Sequence, residues 1–256
     1  MPRRGRVVRL LAEAGESVTV RRLYVPDLPE AGGVLTLAEA PSRHVRVLRL
    51  REGDEVVLFD GKGRAAPARL EFVGDEVVCQ AETPRAAETK RARVVLLLAV
   101  PKGSKLDDCV RMATELGVDE VALMQTDRTV PRWDPERERS RIDRLTRIAS
   151  EAAAQCERND VPIIHGPQLW SAWLDEMPSD AAGVLFGARA QGALSFDGTP
   201  EQVWCAVGPE GGFTDTEIAS FEEAGFAVAS LGTWVLRVET AVPAALTIVR
   251  DRLGPL

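Results

Sequence analysis

The chain is 256 residues long and 45% hydrophobic, enough for one large or two small cored domains. Its four cysteines, Cys79, Cys109, Cys156 and Cys205, stand 30, 47 and 49 residues apart beside only two histidines, His44 and His165, which argues against a metal site or a histidine-dependent hydrolase and for reduced thiols. The net charge of −7 is uneven: residues 1–93 carry 17 Lys+Arg against 14 Asp+Glu, and residues 94–256 carry 15 against 25, so the first part is the better candidate for a polyanion contact.

No apolar run approaches the roughly 20 residues of a membrane span, and the early Val7–Ala12 stretch is too short and charge-broken for a signal peptide. A cytoplasmic protein with no membrane partner is the expectation. Residues 1–20 read as a basic, weakly amphipathic extension. Short alternating runs follow at 23–25, 34–37, 55–59, 65–72 and 76–81, a spacing that predicts a small β-barrel over 21–83, with one helix inserted at 40–50. Residues 60–66 match GxGxxA after a strand. Pro67 and a second β-like run then follow where a dinucleotide loop would open a helix, so Asp60-Gly61 reads as a hairpin turn.

Residues 84–90 are polar and proline-bearing and read as the linker. From 91 to 256 the rhythm lengthens. Residues 94–100 form an unbroken apolar run, as expected of a strand covered on both faces. A helix follows with Leu106, Val110, Ala113 and Leu116 on one face and Gly117 to stop it, then a strand over 120–124. A long helix over about 135–157 turns Ile142, Leu145, Ile148, Ala149, Ala152 and Cys156 inward. Strands at 183–186, 203–207 and 226–230 alternate with helices, the last over about 239–252. The expectation is an α/β domain with a mostly parallel sheet.

Two glycine-bearing loops end strands in this second part: Val207-Gly208-Pro209-Glu210-Gly211-Gly212-Phe213, and the stretch from Leu231-Gly232 to Glu239-Thr240-Ala241. Thr214 stands three residues before Glu217, a capping-box spacing that places the first loop at a helix N-terminus. Backbone N–H groups there can meet a polar ligand edge, and two such loops side by side could grip a flat base such as adenine. Neither loop carries GK[ST], and Lys102-Gly103-Ser104-Lys105 lacks the first glycine of a P-loop, so no triphosphate is required.

Together with Lys102-Gly103, Thr114-Glu115-Leu116-Gly117 and the run Gln155 to Pro162, these loops resemble the RsmE family of 16S rRNA uridine N3-methyltransferases, over roughly residues 22–253. The resemblance implies an α/β SPOUT domain with a C-terminal deep trefoil knot, preceded by a small PUA-like RNA-binding β-barrel domain. It implies S-adenosyl-L-methionine as cofactor, 16S rRNA in the small ribosomal subunit as partner, and a homodimer. By that similarity the cofactor cage would be Leu185, Phe186, Gly187, Val207, Gly208, Pro209, Glu210, Gly211, Gly212, Leu231, Gly232, Val235, Leu236, Thr240 and Ala241. The chain departs from the family at Glu157 and Asp160, where related sequences usually carry a glycine and a basic residue, and Asp127-Arg128-Thr129-Val130 stands for a Glu-Arg-Ser-Val motif.

Methyl transfer from a sulfonium is an in-line displacement that needs alignment and an electron-rich acceptor. If that acceptor is uracil N3, a guanidinium would stabilise the anion, and Arg158 and Arg237 are the candidates, with Asn159 holding the base edge. Glu210 is the candidate proton acceptor, with a structural cap as its other reading. RNA contacts are expected of Arg22, Arg43, His44, Arg46, Lys102, Lys105, Arg128 and Gln155, with Lys102, Lys105 and Arg128 on phosphate. A ribose 2′-O-methyltransferase on the same scaffold and a catalytically silent RNA-binding protein stay open as alternatives.

Overall fold

The computed structural model describes residues 20–86, 91–187, 194–196 and 198–254; the extension at 1–19 and most of the expected linker, 87–90, lie outside them. The chain divides into two compact units, Met1–Ala86 and Ala87–Leu256.

In the first unit, strands β1 (Arg21–Tyr24), β2 (Gly33–Thr36), β3 (Glu55–Phe59), β4 (Arg64–Val73), β5 (Glu76–Ala81) and β6 (Arg85–Ala86) form one mixed sheet in the order β1-β3-β4-β5-β2, with β6 on β4. Every pair is antiparallel except β1 with β3. The sheet and the helix α1 (Glu39–Val47) enclose one core that includes Leu23, Val45, Leu58, Leu70 and Cys79. The turn between β3 and β4 is made by Asp60, which is buried and accepts from the Lys62 N–H at 2.7 Å, the Arg64 N–H at 3.0 Å and Arg64 Nε at 2.7 Å. A dinucleotide loop could not use that carboxylate so. The first two residues after Pro84, read as linker, pair with β4 instead.

The second unit is a six-stranded, wholly parallel sheet in the order β12-β10-β11-β7-β8-β9. Its strands are β7 (Arg93–Ala99), β8 (Glu120–Gln125), β9 (Ile163–Leu169), β10 (Ala182–Phe186), β11 (Gln202–Val207) and β12 (Phe226–Ala229). Residues 94–100 are buried throughout because both faces are covered. Val94, Leu96 and Leu98 meet the helices α2 (Lys105–Glu115), α3 (Pro135–Gln155) and α6 (Val238–Leu253), while Val95, Leu97 and Ala99 meet α4 (Trp170–Glu176) and α5 (Asp215–Glu223).

Local chemistry sets the helix ends. Asp134 caps α3 by accepting from the Glu136 N–H at 3.1 Å, with Pro135 in the first turn. Gly117, at φ +80°, takes the left-handed turn that closes α2. Of the inward residues expected on α3, Leu145, Ile148, Ala149 and Ala152 are buried, whereas Ile142 and Cys156 are half-exposed. All four cysteines are free, and burial pushes the Cys79 and Cys109 thiols up to about 11 and about 12. Among the described residues no helix is long and apolar enough to cross a membrane, and no group of three metal-ligating side chains occurs.

Candidate functional site

β11 lies between β7 and β10, and β12 lies outside β10, so the loops leaving β10, β11 and β12 emerge together at the carboxyl edge of the sheet. Crevices at such edges are where open parallel sheets bind ligands. Here they enclose a cavity of about 530 Å³. Its floor is apolar, with Phe186, Val207, Phe213, Ile218, Val228 and Val238, and its walls are the backbone of residues 207–213 and 231–236. Trp234 and Val235 stand at the rim, 82% and 79% exposed.

Of the cage expected from the resemblance, all but two residues line this cavity. Leu185 does not: strand alternation sends its fully buried side chain into the opposite layer with Leu97 and Phe226, while Phe186 turns toward the cavity face. Thr240 is exposed in the first turn of α6 and does not line it either. Sequence reasoning missed Phe213, Asp215, Ile218, Val228, Trp234 and Val238 as walls. Phe213 and Asp215 directly follow the glycine loop, and the period-2 pattern of β12 could have found Val228.

The glycine loop is shaped by its neighbours. The Gly212 N–H donates to Pro209 O at 2.8 Å with φ +67° at Gly212, a conformation that favours glycine. A Cβ on Gly208 would meet the Phe213 ring at 2.9 Å, so a side chain there would displace a cavity wall. The expected capping box is present: Thr214 Oγ1 accepts from the Glu217 N–H at 3.2 Å and Glu217 Oε2 from the Thr214 N–H at 2.7 Å. Glu217 is fully buried, and its Oε1 accepts from the Asp127 N–H at 2.8 Å, which ties the loop after β8 to the start of α5. Arg128, expected on RNA phosphate, donates through Nη1 to the carbonyls of Gly211 at 2.9 Å and Phe213 at 3.0 Å. By contrast, the N–H groups of Thr233 to Leu236 donate to no acceptor among the described residues, leaving a row of backbone donors along the second loop.

The expected catalytic residues do not all converge. Glu210 lines the cavity, but its Oε1 accepts from the Lys102 N–H at 3.2 Å and from Lys105 Nζ at 3.3 Å. Burial raises its pKa, but hydrogen bonds from its own backbone, Lys105 and Lys102 outweigh that, and the net shift is downward. A carboxylate held so firmly ionised is a poor proton acceptor. Arg237 is the exposed N-cap residue of α6, beside the second loop but outside the cavity lining.

Arg158 and Asn159 precede β9 and therefore lie at the amino edge of the sheet, about 20 Å away at the rise of a strand. Arg158 donates to the carbonyls of Thr114 at 2.6 Å and Val118 at 2.9 Å and pairs with Asp160. Asp160 also pairs with Arg91 at 2.6 Å, Arg91 with Asp119 at 2.7 Å, and Arg250 with Asp119 at 3.4 Å. Arg158 is thus the centre of a structural network that closes the end of α2, and the structure does not bring it to the cavity of its own chain.

The other expected RNA contacts are dispersed. Arg43, His44 and Arg46 are exposed on one side of α1, Arg43 pairing with Glu39 and Arg46 donating to Asp75 O. Arg22 Cζ stacks 5.2 Å over the Phe59 ring. Lys102 is exposed beside the glycine loop, Lys105 is held between two carboxylates, and Gln155 is exposed at the end of α3.

With this geometry in view, the comparisons with known proteins agree. The RNA methyltransferase domain family matches residues 88–250, and the RNA methyltransferase PUA domain family matches residues 39–79. A ribosomal RNA small subunit methyltransferase E of Synechocystis is 32% identical, covering 92% of this chain and 79% of its own length. One of the same name from Mycobacterium tuberculosis is 30% identical over 88% of this chain and 89% of that one. The crystal structure of a ribosomal RNA small subunit methyltransferase E from Neisseria gonorrhoeae bound to S-adenosyl methionine superposes with a TM-score of 0.83 at 28% identity, covering 91% of this chain and 97% of that one. A Legionella pneumophila structure in complex with the bound cofactor SAM also gives 0.83, at 27% identity over 91% and 98% of the two chains.

Proposed function

Because the chain belongs to the ribosomal RNA small subunit methyltransferase E family, we propose that it transfers the methyl group of S-adenosylmethionine to N3 of a uridine in the 16S RNA of the small ribosomal subunit. The observation that carries this reading is the cavity between the two glycine loops at the carboxyl edge of the parallel sheet. Its volume, its apolar floor and the second-loop backbone donors that meet no acceptor among the described residues suit an adenosyl group with a polar tail. A deep trefoil knot in the second unit is part of this reading, and the interleaved strand order is compatible with it. A first unit that acts as the PUA-like RNA-binding domain is supported by the family match at 39–79 and the basic face of α1.

When bound, S-adenosylmethionine supplies an electrophilic methyl on a sulfonium. The chain's own part is alignment and charge. Loops 207–213 and 231–236 hold the donor by backbone groups fixed before it arrives, which lowers the entropy cost of reaching an in-line geometry. The uracil imide must lose its proton to solvent water, and the resulting anion, whose N3 lone pair takes the methyl as the sulfonium leaves as a neutral thioether, needs a cation nearby. Arg237, exposed beside the second loop, is best placed to supply it. Arg158 and Asn159 could reach such a site only from a second copy of the chain, which is where the expected homodimer enters the reading. The cytoplasm is the setting that fits an RNA substrate of this kind.

The test is methylation of small ribosomal subunits from a strain lacking the enzyme, with nucleosides mapped by mass spectrometry. 3-Methyluridine is expected. A 2′-O-methylated nucleoside would instead place the methyl on ribose, and no product together with no donor binding would leave an RNA-binding protein.

A further inference from the structure

The first residue of α2 stands behind the cavity, between the two loops that wall it. Lys105 Nζ lies 3.3 Å from Glu210 Oε1 and 3.3 Å from Glu239 Oε2. Glu210 belongs to the loop after β11, and Glu239 to the first turn of α6, which the loop after β12 enters. Glu210 lines the cavity; Lys105 and Glu239 do not.

Two further observations give the bridge a direction. The Lys102 N–H shares Glu210 Oε1 at 3.2 Å, so the turn that opens α2 grips the first loop by backbone as well as side chain. Glu239 Oε2 is buried and meets no hydrogen-bond partner in good geometry, and the ammonium, with Arg237 farther off, is the cation at 3.3 Å from it. Without that ammonium two carboxylates would face each other across the loops and repel.

We propose that Lys105 is a positioning residue: acting through Glu210 and Glu239, it sets the separation of the two loops that hold the methyl donor, and it touches neither donor nor RNA. The proposal rests on reading the cavity as the donor site. It also reassigns a lysine expected on RNA phosphate. The ammonium is shared by two loops, so its effect falls on the ligand that both loops must grip. A contact to phosphate would act on the other substrate.

Calorimetric titration of full-length protein with S-adenosylmethionine, alongside the KM for RNA and the thermal midpoint, tests it. Lys105→Met is expected to weaken donor binding about tenfold, with the RNA KM changed less than about twofold and the midpoint lowered by the unbalanced carboxylates. Lys105→Arg, which keeps a cation between the loops, is expected to restore most of the loss. Adding Glu239→Gln to Lys105→Met is expected to recover part of it by removing the repulsion, and that non-additivity separates a clamp from general destabilisation. Should Lys105→Met fold poorly, Glu239→Gln alone, which leaves the Glu210 pair intact, is expected to give a smaller loss of donor affinity. Unchanged donor affinity in Lys105→Met, or a loss confined to RNA, would overturn the clamp while leaving the methyltransferase reading intact. Wild-type protein that binds no donor would overturn both.

Discussion

At Glu157 the backbone is left-handed, with φ +66°. A side chain there costs roughly 1 to 2 kcal/mol of strain that glycine avoids, which gives a physical reason for the glycine that the resemblance leads one to expect there. Glu157→Gly is therefore expected to stabilise the protein by up to about 1 kcal/mol, the strain relieved being partly offset by chain entropy; a lowered midpoint in urea would contradict this. The other departure, Asp160, is explained by its partners: its carboxylate joins Arg91 to Arg158. Arg158→Ala should then leave two carbonyls without their donor and Asp160 with Arg91 alone, at a cost on the order of 2 kcal/mol read by urea denaturation. Turnover reduced at full stability would instead return Arg158 to catalysis. Burial raises the Asp160 pKa, but Arg158 and then Arg91 lower it further, so the net shift is downward. The stability Asp160 contributes is present above the usual carboxylate value of about 4 and is lost as pH falls through its lowered folded value.

Among the elements, the start of α5 carries the most for the site. Glu217 accepts from two backbone N–H groups, one of its own helix and one of the loop after β8. Glu217→Ala is expected to cost about 2 to 3 kcal/mol, against about 1 for Thr214→Ala, since only the former leaves the Asp127 donor unpaired. Thermal denaturation of the two variants checks the order. The Thr214/Glu217 spacing was legible because a capping box is local, and so was the burial of residues 94–100, because an unbroken apolar run has one common cause in a parallel sheet. β9 was not expected at all: Gly166 and Pro167 break its pattern, and it is an edge strand, where missing donors are tolerated. That the side chain of Leu185 packs away from the cavity was not legible either, because a five-residue apolar strand does not reveal which alternate positions meet which layer. Lys105 and Glu210, 105 residues apart, could not be paired without the fold.

Over the whole molecule, the acidic average of −7 conceals a basic face on α1, where Arg43, His44 and Arg46 are exposed together. If that face meets RNA backbone, replacing Arg43 and Arg46 by alanine should reduce the slope of log affinity against log salt by about 1.5 to 2. The measurement is RNA binding across a salt series. An unchanged slope would remove α1 from the contact. Each unit has its own core, and the cavity is built wholly from the second, so donor affinity should be indifferent to that pair of substitutions.

The rim of the cavity also carries a spectroscopic label. Of the five tryptophans, Trp173 and Trp204 are buried and Trp133 and Trp170 are partly covered, whereas Trp234 is 82% exposed. The red edge of the intrinsic fluorescence therefore belongs to Trp234. Filling the cavity beneath it should shift that emission to shorter wavelength, and Trp234→Phe should abolish the shift, so occupancy can be followed in real time with no dye attached.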